Sequence, residues 1–220
     1  LTIDADDKTV TYGTVPSFSF TPTGLQNGET VGSVSFATDA TTSTSGNYNA
    51  GSWTITPSNA TGGTFTASNY SITYTTGTLT VNQKSLTVSA TGVDKVYDGL
   101  TTATASLSDN RVSGDVFTAS YTSASFADAN VGTNKPVSVS GISISGTDAA
   151  NYSLSSTTAS TTANITPRAL TIDADDKTVT YGTVPSFSFT PTGLQNGETI
   201  GSVSFATDAT TSTSGNYNAG

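Results

Sequence analysis

The chain has no cysteine, no histidine and no methionine in 220 residues, and its only glutamates are Glu29 and Glu198. Imidazole and thiol chemistry is therefore excluded. There is no Ser-His-Asp triad, no cysteine nucleophile, and no histidine- or cysteine-ligated zinc, iron–sulfur or haem centre. Positive charge is scarce as well: seven Lys and Arg face sixteen acids, for a net charge of −9. Such a surface repels phosphate backbones and anionic membranes, so nucleic acid is not an expected partner. No apolar run approaches the roughly 20 residues that cross a bilayer, and no membrane span is expected in this segment. The opening Leu-Thr-Ile-Asp-Ala-Asp-Asp-Lys lacks the basic-then-apolar order of a secretion signal, which places any targeting or anchoring segment outside this piece. Fourteen aspartates leave carboxylate-pair hydrolysis formally open, but nothing in the sequence sets two of them across a cleft, so no enzyme activity, catalytic residue or cofactor is expected.

What the chain has in abundance is hydroxyl: 46 Thr and 32 Ser, about a third of all residues. They alternate with apolar side chains at the period of a strand, as in Leu1-Thr2-Ile3-Asp4-Ala5, Ser33-Val34-Ser35-Phe36 and Val137-Ser138-Val139. Threonine on an outward face keeps β propensity without charge. Asn27-Gly28, Asn59 to Gly63, Asp98-Gly99, Gly132 and Gly146 punctuate the runs as turns, and no helical period of useful length is present.

Self-comparison fixes the organisation. Residues 170–220 reproduce residues 1–51 with one difference, Val31 against Ile200, so the period is 169 residues. A weaker half-repeat lies inside it, opening at Leu1, Leu86 and Leu170 and closing near Asn69-Tyr70-Ser71 and Asn151-Tyr152-Ser153. The expected domains are a type-one segment at 1–83, a type-two segment at 84–169, and the first half of a second type-one segment at 170–220. Seven or so short strands in each full segment predict an immunoglobulin-like antiparallel β-sandwich. The expected type-one core is Ile3, Val10, Tyr12, Phe18, Phe20, Val34, Phe36, Trp53, Ile55, Tyr70, Ile72, Leu79 and Val81. Residues 170–220 lack counterparts of Trp53 to Val81 and cannot close that core alone; completion by further chain or by another molecule is expected. The connections Val81 to Leu86 and Ile165 to Leu170 are too short and too poor in Gly to be flexible tethers, which predicts stiff joints and domains set end to end as a rod.

The motifs then resemble known repeats. Lys8-Thr-Val-Thr-Tyr12-Gly13, with Pro16, Gly24-Leu25, Asn69-Tyr70-Ser71 and Gly77 to Val81, is similar to the MBG repeat. Lys95-Val96-Tyr97-Asp98-Gly99, with Phe126-Ala127-Asp128, Val131-Gly132-Thr133, Val139 to Ile142 and Gly146 to Tyr152, resembles the YDG repeat. The resemblance implies large bacterial surface proteins of the filamentous-haemagglutinin and adhesin kind, a place outside the cell, and a stalk that projects an adhesive region. It associates no catalytic residue with the motifs.

Tyr12 and Tyr97 are expected as wedges near a sheet end, with Gly13 and Gly99 allowing tight turns and Asp98 capping its own turn. Tyr70, Tyr152 and Trp53 are expected to face inward. Asp4, Asp6 and Asp7, repeated as Asp173, Asp175 and Asp176, are weak calcium candidates weighed against a solvated acidic strand edge. The expected partners are neighbouring repeats of the same chain and other copies in a fibre or biofilm matrix. The rival readings are a glycan- or protein-binding module and a self-assembling extracellular filament.

Overall fold

The structure, a computed structural model, describes residues 1–219, and among them there is no α-helix. In the first segment the alternating runs form β1 (Thr2–Ala5), β2 (Lys8–Thr11), β3 (Phe20–Thr23), β4 (Val31–Thr38), β5 (Gly51–Gly63), β6 (Thr73–Thr75) and β7 (Gly77–Asn82). The second holds β8 (Lys84–Leu86), β9 (Val88–Val93), β10 (Lys95–Val96), β11 (Thr104–Asp109), β12 (Thr118–Ser120), β13 (Ser123–Phe126), β14 (Gly132–Ser140), β15 (Ser143–Ser145), β16 (Tyr152–Leu154) and β17 (Thr158–Thr166). The third adds β18 (Thr171–Ala174) and β19 (Phe189–Thr192). Single 3-10 turns at Ala67–Asn69 and Ala149–Asn151 immediately precede Tyr70 and Tyr152.

The first segment has two sheets, ordered β3-β1-β6 and β2-β7-β5-β4. The all-β prediction holds, with one correction to the purely antiparallel expectation. β1 pairs in parallel with β6 (Ile3 opposite Tyr74), and β2 with β7 (Lys8 opposite Leu79). β8 with β16 and β10 with β17 repeat the arrangement in the second segment. The strands opening a segment thus lie beside those closing it, and the intervening chain is ample for a parallel return. Alternation reveals a strand but not its direction.

The described residues form two compact units. The first comprises residues 1–91, 105–124 and 138–161; the second comprises 92–104, 125–137 and 162–220. In the first unit Ile3, Tyr12, Ile55, Leu79 and Val81 are buried, joined by Leu86, Val88, Phe117, Val139, Ile142 and Tyr152. Val10, Phe18, Phe20, Val34, Phe36, Trp53, Tyr70 and Ile72 are half-buried around that centre. Phe36 stacks at an angle on Phe18 at 5.8 Å, and the Trp53 indole N–H donates to the Asn49 carbonyl at 2.9 Å. In the second unit Phe126, Val137, Ala163 and Ile165 are buried.

Residues 170–219 keep only the β18–β19 hairpin, Ile172 opposite Pro191, of the sheets their twin forms. Ile172 is 44% exposed where Ile3 is fully buried. An open groove of about 410 Å³ lined by Val179, Tyr181, Phe187 and Tyr217 runs beside residues 177–180, the counterparts of β2, which pairs with β7 in the first copy.

Candidate functional site

The two tyrosine motifs are joints between successive segments, one in each unit. In the first unit Tyr12 follows β2, where Lys8 opens a strand zipped to β7, and its backbone N–H donates to Asn82 O at 2.8 Å. Its ring is buried, and its hydroxyl reaches the type-two segment, with Asp115 Oδ1 and Oδ2 at 2.8 and 2.7 Å. The Tyr152 hydroxyl donates to the same carboxylate, and the Val112 N–H donates to Tyr152 Oη at 2.8 Å. A phenol has one proton, and the carboxylate is its better acceptor; Ser43 Oγ, 2.7 Å from Tyr12 Oη, is therefore the donor in that contact. The two rings meet edge to face at 5.4 Å, and Phe117 packs on Tyr152 at 5.1 Å. Arg111 covers Phe117, its guanidinium 3.8 Å from the ring centre and tied to Asp109.

Burial first, and then the Asp115 carboxylate, hold the Tyr12 and Tyr152 hydroxyls above the usual phenol range. Both are neutral donors at any physiological pH. Asp115 thus has hydroxyl partners instead of a cation, a way to bury a carboxylate in a chain nearly without bases.

Two further contacts surround this cluster. Asp148, 1% exposed, accepts the Thr44 hydroxyl, the Thr44 N–H at 3.2 Å and the Val116 N–H at 2.7 Å. Burial pushes its carboxyl up, but these three donors outweigh it and the net shift is downward. Asn151 accepts the Ala50 N–H at 2.8 Å and donates to Asn49 Oδ1 at 3.0 Å. Thr44, Asn49 and Ala50 belong to a hairpin closed by a bridge between Thr42 and Tyr48, so one rigid turn of the first segment carries most of the face.

In the second unit the Lys-Val-Tyr-Asp-Gly string is organised by Lys95. Its ammonium donates to Asp98 Oδ1 and Leu100 O, both at 2.7 Å, and to Thr102 O at 2.9 Å, and it lies 5.6 Å from the centre of the Phe126 ring. Asp98 also accepts the Leu100 N–H at 2.9 Å, and the Lys95 hydrogen bond holds its carboxyl below the usual range. The turn so fixed offers its remaining groups to the next segment. The Tyr97 hydroxyl donates to Glu198, which raises the phenol and lowers the carboxyl, and Asn196 Nδ2 donates to Gly99 O at 3.2 Å. Gly99 has φ +72°, and a Cβ there would stand 2.7 Å from Asn196 Cβ. The glycine is needed by the contact as well as by the turn.

Tyr70 donates to Glu29 within the first segment, and Gly13, at φ +86°, completes the turn after Tyr12. The acidic candidates do not assemble. Asp6 accepts the Thr21 hydroxyl at 2.8 Å, Asp7 the Thr78 N–H at 2.7 Å and Asp175 the Thr190 hydroxyl at 2.8 Å, while Asp4 and Asp173 lie along β1 and β18 and Asp176 follows Asp175. Among the described residues no three acidic side chains converge as cation ligands would. Of the two joint acceptors, Asp115 carries no local sequence signal, and Glu198 is marked only by the rarity of glutamate in the chain.

Comparison with known proteins agrees with the motifs. The profile of the MBG domain (YGX type) matches residues 1–80 and 170–220, and that of the YDG domain matches residues 82–160. No curated protein matches the chain, and no solved structure does. The chain belongs to the MBG domain family of the YGX type, with a YDG domain interposed in sequence between its two copies.

Proposed function

We propose that this chain is a run of structural spacer repeats in a bacterial cell-surface or secreted adhesin, immunoglobulin-like sandwiches placed end to end to project an adhesive region and bear load. Domains of these two families are typical of surface proteins, which supports the location. The observation that carries the role is the joint: one residue separates β7 from β8, and Asp115, Asp148 and Asn151 fasten the second segment to the hairpin and tyrosine of the first. A joint hydrogen-bonded in three places resists bending, as a projecting stalk requires. No enzyme activity is part of this reading.

Small-angle scattering on the full chain tests it. A rod of two and a half domains at about 40 Å each is about 100 Å long. Its radius of gyration would be about 30 Å, against about 17 Å for a compact particle of this length. The smaller value, or the broad profile of a flexible coil, would refute the spacer.

A further inference from the structure

Each tyrosine string is preceded by an aspartate, Asp7-Lys8 before Tyr12 and Asp94-Lys95 before Tyr97. Both aspartates make the same contact. Asp7 Oδ1 accepts the Thr78 N–H at 2.7 Å, one residue ahead of the point where β2 meets β7 at Lys8 and Leu79. Asp94 Oδ1 accepts the Asn164 N–H at 2.7 Å, and its Oδ2 the Asn164 side-chain amide at 2.8 Å, one residue ahead of the pairing of Lys95 with Ile165. The ladders also end alike, with the Tyr12 N–H on Asn82 O at 2.8 Å and the Tyr97 N–H on Thr166 O at 2.9 Å. An early strand is thus fixed to the closing strand by a carboxylate at one end, by backbone bonds along its length, and by the tyrosine N–H at the other end.

The direction of the strands decides how such a ladder meets tension. β2 and β7 are parallel, and the chain reaches β2 from Leu1 and leaves β7 at Asn82. Tension between those points draws the two strands past each other in opposite senses, so the bonds of the ladder share the load and must fail together. β4 and β5 are antiparallel, and tension at their open end, between Ser33 and Thr61, would part their bonds one after another. Asp7 lies outside β2, and its side chain supplies the acceptor for the Thr78 N–H where the ladder begins. A hydrogen bond to a carboxylate is roughly twice as strong as one between neutral groups. We propose that Asp7 is a mechanical latch, a bond that bolts β2 to β7 at the end where tension enters the first segment and slows their sliding apart. The inference deepens the load-bearing part of the proposed function and rests on it for its purpose, while its geometry lies wholly within the first unit. The same contact at Asp94, in a domain of a different family, argues against a chance encounter of a surface acid with a free N–H.

The test is unfolding of the full chain in an optical trap. The chain has no cysteine, so two introduced ones can carry the handles. One pair, Leu1→Cys with Gln83→Cys, loads β2 against β7; the other, Ser33→Cys with Thr61→Cys, opens the β4–β5 hairpin. At equal force the first geometry should unfold the segment more slowly. Asp7→Ala should raise the unfolding rate in that geometry by about tenfold, equivalent to about 1.4 kcal/mol taken from the barrier, and leave the rate in the second unchanged. Asp7→Asn keeps a neutral acceptor and should raise the first rate by only about threefold. Equal acceleration in both geometries would make Asp7 ordinary structural support, and no acceleration in the first would leave it without mechanical effect; either result overturns the latch. Neither touches the spacer, whose test is the length of the chain in scattering. A compact particle there, with the latch upheld in the trap, would refute the spacer and leave the latch standing.

Discussion

The near-identity of the two MBG copies allows one substitution to be made twice, with the second as its own control. Tyr12→Phe removes a hydroxyl that is buried and donates to the Asp115 carboxylate; the ring, its edge-to-face contact with Tyr152 and the surrounding sequence are unchanged. A hydrogen bond to a charged group contributes about 1.5–3 kcal/mol, and Asp115 keeps only the Tyr152 hydroxyl of its two phenol donors, so the expected loss is about 2 kcal/mol. Tyr181→Phe removes the same atom from a solvated face, where water replaces it at no net loss. Trp53 is the single tryptophan, and it lies in the first MBG segment, bonded to Asn49 beside the joint. Its fluorescence in urea therefore reports the relevant transition. With an m-value near 2 kcal/mol/M, Tyr12→Phe should lower the midpoint by about 1 M. Tyr181→Phe should leave it where it was. Equal shifts for the two variants, or no shift for Tyr12→Phe, would refute the claim that the hydroxyl matters through Asp115 rather than through its own domain.

Gly99→Ala should destabilise the second unit through both the positive φ and the approach of Asn196; adding Asn196→Gly should recover part of the loss, with a coupling above about 0.5 kcal/mol in a double-mutant cycle, whereas strain in the turn alone predicts none. Asp148→Asn should reduce stability at neutral pH. The folded carboxyl lies below its unfolded value, near 3.9, so its contribution is present above that pH and lost as pH falls through the folded value; the variant and the parent should converge in acid denaturation. Alkaline titration of phenol absorbance should show Tyr181 ionising early, because Ser212 and Ser214 stabilise its phenolate, and Tyr12 and Tyr152 late. Raised phenols stabilise the fold below their unfolded value, near 10, and lose that contribution as pH rises through the folded one, so the two late tyrosines should ionise together with unfolding.

The strands were legible because hydroxyl and apolar residues alternate with few interruptions, and Ser33 to Phe36 and Trp53 to Ile55 fall inside β4 and β5. Ser17 to Ser19 alternates equally well yet lies outside β3, since periodicity cannot say where a partner strand ends. The incomplete core of residues 170–220 could be inferred from the absence of a second Trp53 to Val81, and the exposed Ile172 agrees. The joints were not legible. Tyr12 and Tyr97 stand out as motif residues, but their carboxylate partners lie 103 and 101 positions away in segments with no matching pattern. A hint was available in the hydroxyl: a wedge that only fills space works as well as phenylalanine, so a recurring tyrosine calls for an acceptor. The two glutamates offered another, since the sequence is almost free of that residue and Glu29 and Glu198 occupy equivalent turns.

Those two turns engage different tyrosines. Glu29 takes the hydroxyl of Tyr70 from its own segment, while Glu198 takes that of Tyr97 from the preceding YDG domain. Asp115 and Asp148 follow the same chemistry, with hydroxyls and backbone N–H groups in place of ammonium or guanidinium partners. An exposed ion pair weakens as salt rises, whereas a buried carboxylate held by neutral donors is screened much less. A composition rich in Thr, Ser and Tyr and poor in Lys and Arg thus supplies both the outward faces of the strands and, in the first unit, a joint whose buried carboxylates depend little on the ionic strength of the surroundings.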